Sequence, residues 1–531
     1  MANELIFPPN ARVSSERIDA LANTAGSRSV FTGALRTVDR TGDRWRWGIS
    51  TANASNRETY STKAALQALR MQARGMSARI WFADPAYVQR GSFPSQELLS
   101  NNTFANGTTG WSAGSDAVLS ANDRVLRVVR KSVIGANAYA TQTPTLTRYA
   151  PHVFRFAVTA NKGQNPYATF SVSSGNASGA FGSNLGIGKT GITTAWFVPN
   201  ITGNPIFLDN NVASGTLAGD YFEVPYASCS RCALIDNGSN LLLHSHAIDN
   251  AAWSKSGLLT VTADSAFGPD RVVNAEIITE DTSTGSHFIT QSVVRASADE
   301  DLEAHGVFGR NNGTRNVRLF VGSDGSNGGA CVFDLGAGTA GTPINAGTGT
   351  NARGFIQDLG NGYFYCSVIA RCAASSAAHF FAEMASGTSV SYTGDGTSSL
   401  IVSGLGLARS SVPVRVTQTT STALPSGTSQ AGKDFYTKGW PASTTGLLLP
   451  GDRVQIGNQL NMVVAPVNSD AAGLAYLQLA YPLRSAPADN APIIINNPMA
   501  RCVMPSNEGG WDAMPGGLSS FEMVLEEALD S

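Results

Sequence analysis

Apolar residues along this chain alternate more often than they recur at helical spacing. In "RNVRLFVG" (315–322), Val317, Leu319 and Val321 fall on one side while Asn316 and Arg318 fall on the other. That is the period-two pattern of a half-buried strand. "RVLRVVRK" (124–131), "HVFRFAVTA" (152–160) and "GYFYCSVIA" (362–370) are runs of the same kind, separated by turns rich in Gly, Asn and Ser. Many short strands broken at intervals of about ten residues predict a sandwich or barrel. No convincing helix is predicted between residues 93 and 412.

The two ends read differently. "VFTGALRTVDRTGDRWRWGIS" (30–50) predicts two strands joined by the turn "DRTGD". "TYSTKAALQALRMQARGM" (59–76) then predicts a helix, with Ser61 or Thr62 as N-cap, helix formers from Lys63 to Arg74, and Gly75 as C-cap. Leu66, Leu69 and Met71 are its expected apolar stripe. The strand "ARIWFADP" (78–85) follows, so the first 90 residues form an α+β piece too small to bury a core comfortably alone. Near the other end, residues 447–495 contain four predicted strands, with "PGD" and "SDAAG" as tight turns. The closing "SFEMVLEEAL" (520–529) sets Phe521, Met523 and Leu525 against Glu522 and Glu526, a half-buried terminal strand.

One phrase occurs twice. "ELLSNNTFANGTTGWSAG" (97–114) and "LLLHSHAIDNAAWSKSG" (241–257) both open on a leucine pair and close on a tryptophan, Trp111 and Trp253. The repetition divides the β-rich middle into two related modules. The predicted organisation is a first part over 1–92, module 1 over 93–235, module 2 over 236–412, and a second part of the first domain over 413–531. "YASCSRCALIDNGSN" (226–240) is the seam. The fold class is therefore mainly β: a split α+β domain, with one helix near 62–75, carrying two inserted antiparallel β-sandwich modules.

Composition narrows the partners. Charged residues are only 14% of the 531 residues, against roughly 25% in ordinary soluble domains, and the net charge is −2. No overall positive field draws nucleic acid or an anionic membrane, so neither is an expected partner. No stretch approaches the length of a membrane-spanning helix. The N-terminal residues carry no basic segment followed by an apolar run, and six cysteines are sparse, so synthesis and folding in a cytoplasm are expected.

Candidate chemistry is scarce. "CSRC" places Cys229 and Cys232 at metal-ligand spacing, with His244 and His246 not far on, but a zinc site needs a second pair and the seam reading fits better. Cys366 and Cys372 read as buried apolar residues. Trp111 and Trp253 are either sugar-stacking platforms or core anchors; their fixed place in each module's opening favours the core. Tyr363, Tyr365, Arg318 and Arg353 are alternative glycan contacts on strand faces, and no binding residue is assigned among them. Glu280, Asp281 and His287 cluster in "EDTSTGSH", which reads as an exposed turn. "SDGSNGG" (323–329) and "TGDGTSS" (393–399) lack the ligand ladder of a calcium loop. No nucleophile elbow, zinc-protease, phosphate-loop or dinucleotide motif is present, so no catalytic residue, metal or cofactor is expected.

"LQALRMQARGMSARIWFADP" resembles the helix–strand passage of the belt domain in siphophage distal tail proteins, and "GLLLPGDRVQIGNQLNMVV" with "DAAGLAYLQLAYPLRSAPADNAPI" resembles the β-rich passage completing such domains. "NLLLHSHAIDNAAWSKSG", "DTSTGSHFITQSV" and "DLGNGYFYCSV" are similar to jelly-roll carbohydrate-binding modules. The resemblance implies a structural virion protein at a long-tailed phage's tail tip, assembled in the bacterial host cytoplasm. It implies a homo-oligomeric ring, usually hexameric, that joins tail tube to tail-tip hub proteins and binds host surface polysaccharide through its modules. The rival readings are a tail-fibre adhesin and a carbohydrate-active enzyme with tandem binding modules.

Overall fold

Strands from both ends of the chain lie in one sheet. The computed structural model describes residues 4–8, 11, 13–21, 24–28, 35–39, 43–55, 62–73, 78–85, 87–132, 138–164, 166–173, 176–177, 189–199, 202–203, 205–210, 217–295, 299–424, 429–506, 511–514 and 518–529. The end sheet runs in the order Glu4–Ile6, Arg79–Ala83, Met499–Val503, Leu518–Glu527, Arg44–Ser55, Val13–Leu21. Two C-terminal strands thus fill its middle. The helix Thr62–Ala73 buries Leu66, Leu69 and Ala73 against Trp47, Phe82 and Phe521 of this sheet. Met71 is 71% exposed, contrary to expectation. Positions 66, 69 and 73 define the inward stripe at about 100° per residue, and 71 falls off it. Ser61 and Gly75 lie outside the described residues.

The expected strands in 30–50 form as Leu35–Asp39 and Arg44–Ser55, but they do not pair with each other. The first pairs with Thr24–Arg28, and the second lies between Val13–Leu21 and Leu518–Glu527. Residues 40–42 of the "DRTGD" turn fall outside the described set. In the last strand Phe521, Met523 and Leu525 are buried as their alternation predicts. Glu526 is buried too, because Arg44 and Arg46 on the neighbouring strand enclose its carboxylate.

Residues 434–495 build a second, separate sheet: Gln459–Met462, Arg453–Ile456, Pro492–Ile494, Ala233–Ile235, Asp434–Lys438, Ala475–Gln478. Its fourth strand comes from the seam. This small sheet is a hub, because every segment entering or leaving a module is bonded to it. Asp452 of the "PGD" turn is fully buried and accepts hydrogen bonds from the backbone N–H groups of Leu449, Arg90 and Gly91. A Cβ on Gly91 would lie 2.2 Å from the Leu447 carbonyl oxygen, so only glycine fits this approach. On the return path, Asp236 Oδ2 accepts from the Arg415 N–H at 2.9 Å.

The two modules are antiparallel sandwiches with the same topology. Module 1 has one sheet ordered Asn176–Ala177, Pro166–Ser173, Ile206–Asn210, Ala140–Gln142, Ser112–Ala113. Module 2 repeats that order as Gly328–Asp334, Asn316–Gly322, Ala377–Ala385, Phe288–Val294, Ser254–Ser256. The other sheet of module 2 runs Leu258–Phe267, Val273–Glu280, Ser399–Arg409, Glu300–Asn312, Tyr363–Cys372, Thr350–Gly360. Its first five strands follow the course that module 1 takes in two shorter sheets, one of four strands and one of three.

The repeated phrase is the clasp of each copy. Glu97 Oε1 accepts from the N–H groups of Leu99 and Cys229, and Asn240 Oδ1 accepts from those of Leu242 and Leu407. Asn101 and His244 both take positive φ, 49° and 50°. Gln142 then clamps both backbone groups of Ser100, as Gln291 clamps both of Leu243. A sequence echo of a few residues reports a repeated set of backbone hydrogen bonds.

Candidate functional site

Each sandwich has one sheet turned to the hub and one turned away. In module 1, Arg155 reaches from His152–Val158 to Gln455 Oε1 at 3.1 Å and to the carbonyls of Asn496 and Asn497 at 3.0 Å. In module 2, Val307, Tyr363 and Tyr365 pack against Ala472 of the hub. Tyr365 Oη donates to the Val414 carbonyl at 2.8 Å, and the Arg353 guanidinium lies 4.4 Å from the ring centre of Tyr149 in module 1. Tyr363, Tyr365 and Arg353 are therefore buried in an internal joint, and they are not surface glycan contacts. The segments that cover them lie far away in sequence.

Arg318, the fourth of that group, lies on the other sheet, and that sheet's outward face carries the candidate site. Three adjacent strands place their outward residues in a grid fixed by register. Phe288, Thr290 and Ser292 lie on one edge; opposite them on the central strand lie Glu383, Phe381 and His379. Across the central strand, Arg318, Phe320 and Gly322 complete the grid. The alternate residues Ile289, Phe380, Ala382, Leu319 and Val321 point into the core. Phe381 is half-buried, with its ring centre 5.4 Å from that of Phe288 and 5.7 Å from that of Phe320, both edge-on. Phe320 is covered, only 3% exposed.

Beside the rings lies an ion pair. Arg318 Nε is 2.5 Å from Glu383 Oε2, yet neither atom has a hydrogen-bond partner among the described residues, because the contact is misaligned for one. Burial pushes the Glu383 carboxyl above its ordinary value, with the Arg318 charge opposing. On the same face, Ser292 Oγ is 3.3 Å from His379 Nε2. Aromatic faces bordered by a guanidinium, a carboxylate and a hydroxyl suit a flat ligand with C–H faces and a rim of hydroxyl groups.

The other residues singled out by sequence have structural places. Trp111 and Trp253 are 6% and 3% exposed and lie in the two module cores. Trp253 Nε1 donates to the His244 carbonyl at 3.0 Å, and its ring meets Phe380 edge-on. Cys229 faces the module 1 core, whereas Cys232 packs with Val153, Leu234 and Ile494, so the two thiols point into different clusters. Among the described residues no group of three or more His, Cys, Asp or Glu side chains could hold a metal ion, and no helix is long and apolar enough to cross a membrane.

Glu280 and His287 are fully buried, which corrects the expected exposed turn; Asp281 alone keeps a solvent-facing side chain. The Glu280 carboxylate accepts from Arg315 through two nitrogens, from Tyr392 Oη and from the Asp395 N–H, and so ties three segments at one end of module 2. Asp324 and Asp395 bond the N–H groups of their own turns, at Ser326 and Asn327 and at Thr397 and Ser398. These carboxylates cap turns.

No family model matches the chain. No curated protein matches it either. Among solved structures, it is similar to the N-terminal CBM22-1–CBM22-2 tandem domain of Xyn10C from Paenibacillus barcinonensis, at 12% identity over 60% of this chain and 99% of that one, with a TM-score of 0.21. It is similar to truncated AlyQ with CBM32 and alginate lyase domains, at 9% identity over 62% and 99%, TM-score 0.15. The ANX2 ectodomain from Arabidopsis thaliana matches at 8% identity over 51% and 86%, also with a TM-score of 0.15.

Proposed function

We propose that this is a non-enzymatic carbohydrate-binding protein whose outward module 2 sheet holds glycan. The observation that carries the reading is the grid of Phe288, Phe381, Arg318 and Glu383 on the face turned away from the hub. A pyranose would stack its C–H face on Phe381, and its hydroxyl groups would meet the part-exposed Arg318 guanidinium, which Glu383 holds in place. The test is binding of the full chain to a polysaccharide array, with Phe381→Ala and Arg318→Ala as variants. Each is expected to weaken binding about tenfold or more, equivalent to roughly 1.4 kcal/mol. Unchanged binding in both variants would remove the site.

We further propose that the split end domain is the assembly part, a ring at the distal end of a long phage tail. That a single sheet joins both chain ends while the modules sit in insertions supports this reading. Sedimentation of the full chain tests it: a hexameric ring is expected, and a monomer at micromolar concentration would exclude self-assembly of the ring.

A further inference from the structure

The outer face of the hub sheet carries an aromatic pair of its own. Tyr436 on Asp434–Lys438 stands directly opposite Tyr476 on Ala475–Gln478, with ring centres 5.3 Å apart and planes at 62°. Two residues along each strand, Asp434 stands opposite Gln478, whose Nε2 donates to Asp434 Oδ1 at 3.2 Å. The alternate residues Phe435 and Leu477 are fully buried in the hub core. The tyrosines thus lie on the polar phase of both strands, 49% and 46% exposed. Over Tyr436 lies the Arg415 guanidinium, 4.5 Å from the ring centre. Val464, whose N–H donates to the Gln478 carbonyl at 3.0 Å, is exposed and gives the patch an aliphatic margin. Accessible rings, a guanidinium and a carboxylate meet here, outside both modules.

Packing alone does not call for this pair. Phe435 and Leu477 supply the hub core, and a threonine would suit an exposed strand position as well as a tyrosine does. The patch is nevertheless held in place. Gln430 takes both backbone groups of Tyr436, accepting from its N–H at 2.6 Å and donating to its carbonyl at 3.0 Å. Arg415 is fixed by its own N–H on Asp236 Oδ2 at 2.9 Å and by Nη2 on the Asn237 carbonyl at 3.3 Å. Groups fixed in advance cost less to order on binding. Protein interfaces also favour Tyr and Arg, but their desolvated centres are depleted of Asp. Here Asp434 is exposed and bonded to Gln478 beside the rings, an arrangement that suits hydroxyl groups in water.

We infer that this patch is a second glycan site, in which Tyr476 stacks on the C–H face of a pyranose while Tyr436 Oη, Arg415 and the Asp434–Gln478 pair meet its hydroxyl groups. The class of ligand rests on the reading of the protein as glycan-binding. The site itself shares no residue with the module 2 face, so each can fail without the other.

The experiment titrates the full chain calorimetrically with six-sugar fragments of xylan, mixed-linkage glucan, galactomannan and alginate. Two molecules of one of these fragments are expected to bind per chain, and one in either Tyr476→Ala or Phe381→Ala. Tyr476→Thr, which suits a strand, replaces Tyr476→Ala if that variant's thermal midpoint falls. One fragment per wild-type chain, lost in Phe381→Ala and kept in both Tyr476 variants, overturns the hub site and leaves the module 2 reading standing. One fragment, lost in the Tyr476 variants and kept in Phe381→Ala, upholds the hub site and removes the module 2 site. Loss of self-association in Tyr476→Ala, with no fragment bound at the hub, makes the patch an interface between copies and overturns its glycan role. Absence of binding by all four fragments, or two bound fragments in every variant, overturns both sites.

Discussion

Arg46 and Glu526 face each other on adjacent antiparallel strands from opposite ends of the chain, with Arg46 Nη2 2.8 Å from Glu526 Oε2. Burial disfavours the charged form of Glu526, but Arg46 and Arg44 outweigh it and hold its carboxyl below the ordinary value. A depressed acid contributes stability above its unfolded value, near 4.5, and loses it as pH falls through the folded value. Glu526→Gln should therefore destabilise the end domain by about 1 kcal/mol at neutral pH, since Arg46 is partly exposed, and by less in acid. Denaturant titration at pH 7 and pH 3 checks this; an equal loss at both would contradict the ion-pair account.

The same strand pairing bears on fragments. Residues 1–92 lack Met499–Val503 and Leu518–Glu527, which separate Arg79–Ala83 from Arg44–Ser55 in the sheet. Expressed alone, this piece should show no cooperative thermal transition. Joined to 413–531 through Gly/Ser linkers that retain the seam strand Ala233–Ile235 of the hub sheet, it should show one.

Trp111 and Trp253 close equivalent clasps and lie in separate cores. Truncating a buried Trp to Ala costs about 3–5 kcal/mol. Trp253→Ala should lower the midpoint of module 2 and leave glycan affinity of the folded fraction unchanged. A normal midpoint with lost binding would instead make it a ligand platform.

What was legible in the sequence followed local period. The alternation of Val317, Leu319 and Val321 names an inward face without reference to the rest of the chain. The helix was legible in place but not fully in its stripe, as Met71 shows. The burial of Tyr365 and Arg353 was not legible, because it depends on Val414, Ala472 and Tyr149, which only the fold brings near. The candidate face did leave a signal. In "AAHFFAEMA" (377–385), Phe381 falls on the polar phase with His379 and Glu383, opposite Ala378, Phe380 and Ala382. An aromatic on the polar side of an alternating strand is out of place for packing alone.

All six cysteines are buried. Burial pushes the Cys331 thiol up to about 11 and raises Cys229 well above its ordinary value. Since the thiolate is the reactive form, native chain should react with a thiol reagent very slowly and release all six thiols on denaturation. Rapid modification of two thiols in the native chain would point to an open seam at Cys229 and Cys232.

The joint between module 2 and the hub should give the chain a stability maximum in mildly acidic solution. Glu303 and His305 are both fully buried there, with Lys438 and Asp236 facing them from the hub side. Burial raises Glu303 to about 8, although Ser367 Oγ and the Val414 N–H donate to it. Burial lowers His305 to about 3, and neither ring nitrogen has a hydrogen-bond partner among the described residues. For Glu303, the unfolded chain gives up its proton near 4.5 while the folded one keeps it to about 8, so stability falls as pH rises across that window. For His305, the unfolded chain takes a proton below about 6.5 while the folded one refuses it to about 3, so stability falls as pH drops across that window. Between about 4.5 and 6.5 the two slopes oppose each other; above 6.5 only Glu303 acts, and below 4.5 only His305. Glu303→Gln keeps the shape and removes the ionisation, so its midpoint should match wild type near pH 5 and exceed it at pH 8. The check is calorimetry of both proteins at those two values. A variant that is less stable than wild type at pH 8 would mean that Glu303 is ionised in the folded joint and paired with Lys438.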